Sequence, residues 1–203
     1  MRRGVELCEV HLPVGGAHNV ENALGVAAAA TALGLSPAEI AAGLAAFGGV
    51  KRRQEVRGRA GGVTVIDDFA HHPRAVKKTL AAVAGSFPGA RLLACFEPRS
   101  NTSRRNLHQR DYADPASWSG AAGVFLLRPV PTDKVPEAER LDVDAVCAAL
   151  TAGGTPAAAF AGVAELVAAV AAAARPGDVV VAMSNGAFGG IWELLLARLG
   201  AGH

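Results

Sequence analysis

The sequence is poor in cysteine, nearly balanced in charge and without a long hydrophobic run. Its three cysteines, Cys8, Cys95 and Cys147, are widely spaced and odd in number, which argues against a disulfide framework and favours a reducing compartment. The formal net charge of +2 is too small to indicate binding to nucleic acid or to an anionic membrane. The longest apolar helical run, near residues 161–174, contains Glu165 and is too short to cross a bilayer. No signal-peptide pattern is visible, so we expect a soluble, cytoplasmic protein.

The sequence also lacks a phosphate-binding loop of the Walker type. No Gly-x-x-x-x-Gly-Lys-(Ser/Thr) segment occurs among its 203 residues, so the chain offers no such cradle for a nucleotide. With 51% hydrophobic residues it is nevertheless long and apolar enough to bury a core.

From residue 56 onward, short apolar segments alternate with helical patterns. Strands are predicted at residues 63–66, 91–96, 124–127, 157–160 and 179–183, and helices at residues 75–84, 143–150, 163–174 and 191–199. Strands that are apolar without alternation are typical of a parallel sheet covered on both faces. We therefore predict an α/β, Rossmann-like fold with a mostly parallel sheet and helices on both faces.

The first 54 residues show a different pattern. Apolar and acidic residues alternate over residues 5–10, which predicts a half-buried strand. An Ala-rich helix is predicted to end near Leu33. A second helix is predicted over about residues 37–47, because Ser36 and Glu39 form a capping-box pattern around a proline.

The most informative stretch is residues 67–73, which read Asp-Asp-Phe-Ala-His-His-Pro. It follows a predicted strand and precedes a predicted helix, which is where open α/β sheets bind ligands and where helices bind phosphate. Asp68 is suited to a ribose hydroxyl or a metal-bound water, and His71 to a phosphate or a base. The alternative is an Asp helix cap followed by two surface histidines. Five polar or helix-breaking residues among seven favour function.

Three more polar segments follow predicted strands, and in a parallel sheet we expect them at the same edge as residues 67–73. Residues 97–104 read Glu-Pro-Arg-Ser-Asn-Thr-Ser-Arg, in which an arginine beside neutral donors suits a carboxylate. Residues 184–190 read Ser-Asn-Gly-Ala-Phe-Gly-Gly, whose glycines let backbone N–H groups approach a ligand. Residues 128–131 are interpreted as an ordinary loop.

Two earlier segments contain polar residues that allow either a binding role or a structural role. Asn19 and Asn22 share one face at the start of the first helix, beside His18, and side-chain amides match the donor and acceptor of an adenine edge. The alternative is an Asn helix cap. The basic segment 49–55 contains Arg53, and on its own it is typical of a solvated linker.

These segments together resemble one family. Residues 67–73 are similar to the Asp-Asp-(Phe/Tyr)-(Ala/Gly)-His-His-Pro motif that opens the C-terminal domain of Mur ligases, which are ATP-dependent amide-forming enzymes of bacterial cell-wall synthesis. Residues 16–23 resemble the family's adenine-contacting segment, and residues 49–55 its interdomain segment. The resemblance implies that residues 1–54 are the C-terminal tail of the central ATP-binding domain plus a linker, and that residues 55–203 are the C-terminal domain.

The resemblance also implies roles for individual residues. Asp68 and His71 would be catalytic. The nucleotide would be bound by His18, Asn19, Asn22, Arg53, Asp68 and His71. The incoming peptide would be bound by Glu97, Arg99, Ser100, Asn101, Thr102, Ser184, Asn185 and Gly186. No metal ligand is assigned in this chain, because Mg²⁺ is expected to be held mainly by an upstream part of the enzyme.

The implied reaction joins the murein tripeptide L-alanyl-γ-D-glutamyl-meso-diaminopimelate to UDP-N-acetylmuramate through an acyl phosphate made from ATP, as in peptidoglycan recycling. The missing Walker loop then implies the C-terminal half of such an enzyme, inactive alone, from either a truncated or a split gene product. Its partner would be the missing N-terminal half.

Three alternatives remain open at this point. One is a Mur ligase that adds a single amino acid such as L-alanine, and another is a non-catalytic module that binds peptidoglycan fragments. The third, metal-dependent hydrolysis through residues 67–72, is weak because no second carboxylate and histidine cluster has ligand spacing.

Overall fold

The computed structural model describes residues 6–201, apart from the side chain of His18. The chain divides between Lys51 and Arg52 into two compact units. None of the helices within residues 6–201 is both long and apolar enough to cross a membrane.

The described part of the first unit is helical. It contains α1 (Ala17–Ala32) and α2 (Pro37–Ala45). The predicted capping box is confirmed: the backbone N–H of Glu39 donates to Ser36 Oγ at 3.4 Å, and the backbone N–H of Ser36 donates to Glu39 Oε2 at 2.8 Å. The second helix therefore begins where its local sequence specifies.

The strand predicted over residues 5–10 is wrong for residues 6–10, which adopt no regular structure; Val5 lies outside the described residues. No strand occurs among the described residues of this unit, and a strand without a partner is not stable. Alternation of apolar and acidic residues was therefore an insufficient signal here.

The second unit consists of strands and helices that mostly alternate. Its strands are β1 (Glu55–Ala60), β2 (Val63–Asp68), β3 (Leu92–Phe96), β4 (Ala121–Leu127), β5 (Ala157–Phe160) and β6 (Val179–Met183). Its α-helices are α3 (Pro73–Ser86), α4 (Gln109–Ala113), α5 (Val143–Ala152), α6 (Val163–Ala173) and α7 (Ile191–Gly200).

The six strands form one sheet in the order β1-β2-β6-β3-β4-β5. All neighbours are parallel except β1, which pairs antiparallel with β2 through a turn at Gly61 and Gly62. Both glycines have positive φ, 56° and 74°, as a tight two-residue hairpin turn requires. The predicted α/β fold with a mostly parallel sheet is confirmed, and the antiparallel edge strand β1 is an addition to it.

Each central strand supplies side chains to two separate cores. In β3, Leu92, Ala94 and Phe96 pack on one face, and Leu93 and Cys95 pack on the other. Helices α3 and α5 cover the first face, and α6 and α7 cover the second. This double burial explains why the strands are continuously apolar.

The register of the central strands brings their C-terminal ends to one level. Asp68 of β2 pairs with Met183 of β6, which in turn pairs with Phe96 of β3. The ladder continues one residue further, since the backbone N–H of Ser184 donates to the carbonyl of Asp68 at 3.1 Å, and that of Glu97 to the carbonyl of Met183 at 3.1 Å. The loops after β2, β6 and β3 are therefore neighbours.

Candidate functional site

Asp67 and Asp68 belong to the end of β2, not to the polar turn that the sequence predicted. Pairing with β6 extends β2 by two residues beyond the apolar run, through Asp67 opposite Ala182 and Asp68 opposite Met183. Both aspartates are buried, with only 1% and 2% of their surface exposed. Because side chains alternate along a strand, their carboxylates lie on opposite faces of the sheet and have different partners.

The Asp68 carboxylate is fully engaged inside the protein. Its Oδ1 accepts hydrogen bonds from the backbone N–H of Ala70 at 2.8 Å and from Thr79 Oγ1 at 2.9 Å. Its Oδ2 accepts from the backbone N–H of Gln54 at 2.9 Å. The carboxylate thus fastens the segment before β1, the turn after β2 and helix α3 to one point. In this geometry Asp68 positions the turn, and its predicted contact with a nucleotide stays a prediction.

The Asp67 carboxylate pairs with Arg52, whose Nε lies 3.3 Å from Asp67 Oδ2. Burial raises the pKa of Asp67 above its ordinary value, and the neighbouring Arg52 guanidinium opposes that rise. The same guanidinium donates through Nη2 to the carbonyl of Ser184 at 2.7 Å and to the carbonyl of Gly186. Arg52 therefore ties the loop after β6 to the end of β2.

Arg53 differs from its neighbour in having no such fixed partners among the described residues. It is exposed, and its guanidinium lies over the Phe69 ring at 5.5 Å from the ring centre, where Arg52 also lies at 5.2 Å. An exposed guanidinium beside the 67–73 turn suits a phosphate or a ribose. Its predicted nucleotide contact is thus compatible with its position.

His71 has one ring nitrogen committed and one free. Its Nδ1 lies 2.9 Å from the carbonyl of Phe69, and since a carbonyl only accepts, Nδ1 carries the hydrogen. The Tyr112 hydroxyl donates to the carbonyl of His71 at 2.8 Å and holds the turn. Nε2 has no hydrogen-bond partner within residues 6–201, so it is available to a ligand.

His72 has a local structural role. It is the N-cap of α3, and its Nδ1 accepts from the backbone N–H of Arg74 at 3.3 Å. Its ring packs edge-on against that of His108, with ring centres 4.5 Å apart. Burial lowers the pKa of His72, and the nearby His108 and Arg74 lower it further.

The loops after β3 and β6 are joined by a short hydrogen bond. Ser184 Oγ donates to Glu97 Oε2 at 2.5 Å and accepts from the backbone N–H of Gly186 at 2.8 Å. Arg99 Nη1 lies 3.7 Å from Glu97 Oε1, while 48% of the Arg99 side chain remains exposed. A Cβ at Gly186 would collide with the Arg99 side chain, so the arginine can cross the loop in this position because residue 186 is glycine. The hydrogen-bonded Glu97–Ser184 pair thus supports the guanidinium of Arg99, which remains accessible to a ligand.

The remaining predicted peptide contacts occupy the tips of these two loops. Ser100 Oγ accepts from the backbone N–H of Ser103 at 2.9 Å and closes a tight turn. This turn leaves Asn101 and Thr102 exposed. In the other loop, Asn185 Oδ1 is buried without a hydrogen-bond partner among the described residues.

In the first unit, the side chain of Asn19 is hydrogen-bonded within the protein, whereas that of Asn22 is exposed. Asn19 Nδ2 donates to the carbonyl of Gly15 at 2.6 Å, and Asn22 is exposed three residues later. The N-cap of α1 is Gly16, which has no side-chain cap, so the alternative of an Asn cap is wrong. The side chain of His18 lies outside the described residues. The predicted adenine contacts of these three residues stay predictions.

The structure adds residues that the sequence did not single out. Arg52, Gln54 and Thr79 hold the two buried aspartates, and Tyr112 holds the His71 turn. No group of three or more His, Cys, Asp or Glu side chains within residues 6–201 is arranged to hold a metal ion.

Comparisons with known proteins identify the family and several relatives of this chain. The sequence pattern of the family described as "Mur ligase, glutamate ligase domain" matches residues 52–186. The chain is 42% identical to the Escherichia coli K12 protein named UDP-N-acetylmuramate–L-alanyl-γ-D-glutamyl-meso-2,6-diaminoheptandioate ligase, over 97% of this chain and 40% of that protein. It is 41% identical to the UDP-N-acetylmuramate–L-alanine ligase of Agathobacter rectalis, over 70% of this chain and 31% of that protein.

Solved structures show the same similarity. The murein peptide ligase of Psychrobacter arcticus 273-4 superposes with a TM-score of 0.69 at 34% identity, over 94% of this chain and 38% of that one. The UDP-N-acetylmuramate–alanine ligase of Thermotoga maritima gives a TM-score of 0.78 at 22% identity, over 98% of this chain and 42% of that one, which supports the fold alone. The chain thus spans about two fifths of the length of its curated relatives, 40% and 41% for the first two.

Proposed function

We propose that this chain, which belongs to the Mur ligase family, is the C-terminal part of an ATP-dependent ligase acting in peptidoglycan recycling. The ligase joins L-alanyl-γ-D-glutamyl-meso-diaminopimelate to UDP-N-acetylmuramate through an acyl phosphate. The names of the Escherichia coli and Haemophilus influenzae relatives, 42% and 38% identical to this chain, support this choice of substrates.

The observation that carries the proposal is the exposed Arg99 guanidinium, which is supported by the Glu97–Ser184 pair. A guanidinium binds a carboxylate with two parallel hydrogen bonds. Its contribution to binding affinity is larger when the protein already fixes its position before the ligand binds. The tripeptide has carboxylates at D-glutamate and at diaminopimelate. Arg99, with Asn101 and Thr102 beside it, therefore suits recognition of an acidic peptide.

The nucleotide would be held by groups that are still free to bind it. In the second unit these groups are Nε2 of His71 and the exposed guanidinium of Arg53. In the first unit the free group is the exposed amide of Asn22. Asp68 would act by holding the His71 turn in place. Mur ligases use ATP with Mg²⁺, and in this proposal the metal ligands belong mainly to the upstream part of the enzyme.

The two parts of the sequence would then have separate roles in the reaction. Residues 1–54 would complete the central ATP-binding domain, and residues 55–203 would bring the peptide to it. Rate acceleration in such a site rests on positioning and on fixed charges, completed when the domains close. The chain alone, which has no Walker loop, would not catalyse the reaction.

A chimera tests this function directly. The corresponding C-terminal two fifths of the Escherichia coli relative are replaced by this chain, and ADP release is measured with UDP-N-acetylmuramate and the tripeptide. We expect ADP release that requires both substrates, and none from this chain alone. A folded chimera that releases no ADP with the tripeptide would overturn the proposal.

A second candidate is a ligase for a single amino acid. The 41% identity to the Agathobacter rectalis L-alanine ligase supports it. The same chimera distinguishes the two, because L-alanine would replace the tripeptide as the required substrate. Saturable tripeptide binding without turnover in that chimera would instead favour a module that only binds peptidoglycan fragments.

A further inference from the structure

The turn at residues 69–72 is held by residues from a later part of the sequence. The hydroxyl of Tyr112 in α4 donates to the carbonyl of His71 at 2.8 Å. A second contact lies beside it, because the ring of His108 packs edge-on against that of His72, with ring centres 4.5 Å apart. The segment that leads from the loop after β3 into α4 therefore rests on the turn that carries His71.

Tyr112 is itself fixed by the core. Only 1% of its surface is exposed, and its ring packs against Phe96 with ring centres 5.2 Å apart. The indole Nε1 of Trp118 donates to the backbone carbonyl of Tyr112 at 2.8 Å. Burial raises the pKa of the Tyr112 hydroxyl, and the nearby Asp111 adds to the rise, so the hydroxyl keeps its proton and remains a donor. The carbonyl of His71 thus meets a donor whose position is set by the core.

Helix α4 is also anchored to the start of α5. Gln109 Nε2 donates to the carbonyl of Asp142 at 2.9 Å, and the backbone N–H of Asp142 donates to Gln109 Oε1 at 2.9 Å. Asp142 is the N-cap of α5, so this reciprocal pair joins the two helices. Tyr112 therefore reaches the 69–72 turn from a helix that is fixed independently of that turn.

The backbone position of His71 determines how its ring is oriented. His71 Nδ1 donates to the carbonyl of Phe69 at 2.9 Å, which leaves Nε2 as the ring nitrogen without a hydrogen. The hydrogen bond made by one ring nitrogen of a histidine decides which nitrogen carries the hydrogen. Both partners of this bond belong to the 69–72 turn, so their distance depends on where the turn lies. By holding the His71 carbonyl, Tyr112 therefore also maintains the ring orientation.

We propose that Tyr112 is a positioning residue of the ligation, which holds His71 where its Nε2 binds the nucleotide, an inference that rests on the proposed function. Tyr112 does not touch the ligand itself, because it is buried and its hydroxyl is bonded to the His71 carbonyl. The segment that carries Arg99 at its start carries Tyr112 at its end. One continuous segment therefore supports peptide recognition at one end and the position of His71 at the other.

The test compares two variants that each remove one hydroxyl. Tyr112→Phe keeps the ring and removes the donor to His71. The matched control Ser117→Ala removes a hydroxyl of the same segment that donates to the carbonyl of Asp111 at 2.7 Å. The ring nitrogens of His71 are observed by ¹⁵N NMR of the full chain at a pH where the ring is neutral. We expect the Nδ1–H form to dominate in wild type and in Ser117→Ala, and Tyr112→Phe to shift toward the Nε2–H form.

The consequence for nucleotide binding is measured in the chimera described above, by calorimetric titration with ADP and separately with the tripeptide. Tyr112→Phe should weaken ADP binding by about fivefold, which corresponds to one neutral hydrogen bond, and should change tripeptide binding by less than about twofold. Ser117→Ala should change neither affinity. A merely structural role of Tyr112 would weaken both ligands together or neither of them.

Each other result would overturn the inference. An unchanged His71 tautomer in Tyr112→Phe excludes control of the ring by the hydroxyl, and a changed tautomer with unchanged ADP affinity excludes a role in nucleotide binding. Equal losses of ADP and tripeptide affinity identify a general structural role instead. These measurements need no turnover, so they are independent of the ligation assay: ligation with an unchanged tautomer rejects this inference alone, and a selective loss of ADP affinity in a chimera that does not ligate rejects the proposed function alone. A wild-type chimera that binds no ADP rejects both.

Discussion

Arg52 holds the buried Asp67 carboxylate at 3.3 Å and, with the same guanidinium, the carbonyls of Ser184 and Gly186. One side chain therefore connects the segment before β1, the end of β2 and the loop after β6. Arg52 adopts this position with a φ of 60°, which non-glycine residues rarely adopt. The loop that carries Ser184 is thus fixed by two contacts: Arg52 binds its backbone carbonyls, and Glu97 accepts the hydrogen bond of the Ser184 hydroxyl.

Replacing Arg52 by alanine should destabilise the protein by about 2 kcal/mol. It leaves the Asp67 carboxylate buried without its partner, and the cost is moderated because 28% of the Arg52 side chain is exposed. Urea unfolding followed by circular dichroism measures the change. Arg59→Ala, at an exposed arginine of β1, is the control and should change stability by less than about 0.5 kcal/mol. Equal losses in the two variants would contradict a specific role for Arg52.

The buried Asp67 predicts a characteristic pH dependence. Its pKa is raised above the ordinary 3.8 by burial, so the folded state binds the proton more tightly than the unfolded state. Its contribution to stability is therefore full below pH 3.8 and is lost as the pH rises through the raised pKa. Relative to Asp67→Asn, wild type should lose stability over this interval and then stay level. A constant difference from pH 3.5 to 8 in urea unfolding would contradict the raised pKa.

Asp68 should matter for stability through its internal bonds. Thr79→Val removes the hydroxyl that donates to Asp68 Oδ1 at 2.9 Å and leaves a buried carboxylate oxygen with one donor fewer. We expect a loss of about 1.5 kcal/mol in unfolding free energy. Thr102→Val, at an exposed threonine, makes the same chemical change and should be nearly neutral. If both variants are neutral, Asp68 does not depend on this bond.

His72 should titrate below the ordinary histidine pKa of 6.5, because burial and the nearby His108 and Arg74 disfavour its protonation. Stability from this group is then present above pH 6.5 and lost as the pH falls through the lowered pKa. NMR titration of the His72 ring measures its pKa directly. His108→Asn should raise the pKa of His72 by removing one of the charges, whereas an unchanged pKa would show that the ring contact carries no electrostatic coupling.

Local sequence signals specify much of this fold. The strand at residues 179–183 was predicted with the bounds of β6, and the Ser36–Glu39 capping box was predicted from four residues, because both depend on neighbouring residues only. The antiparallel β1 was not predicted, since β1 is half exposed and depends on its pairing with β2. The length of β2 was underestimated for a similar reason: a buried aspartate becomes acceptable only when partners distant in sequence satisfy it.

The candidate site was predictable in part. The loops after β2, β3 and β6 were expected at one sheet edge because parallel strands end together, and the structure places them there. The division of labour between Arg52 and Arg53 was not predictable, because adjacent arginines are equivalent in sequence and only the fold decides which one turns inward. The loop 128–131 was interpreted as ordinary, and only the bridge between Arg105 and Arg140 brings it beside Arg104.

The central claim is that the loops after β3 and β6 recognise an acidic peptide through Arg99. Calorimetric titration of this chain with L-alanyl-γ-D-glutamyl-meso-diaminopimelate, repeated on Arg99→Ala and Arg110→Ala, tests it most directly. The account predicts saturable binding to wild type and Arg110→Ala, and binding to Arg99→Ala that is weaker by about tenfold or more, since a hydrogen-bonded guanidinium–carboxylate pair contributes about 1.5–3 kcal/mol. Equal binding to Arg99→Ala, or no saturable heat with wild type, would contradict it.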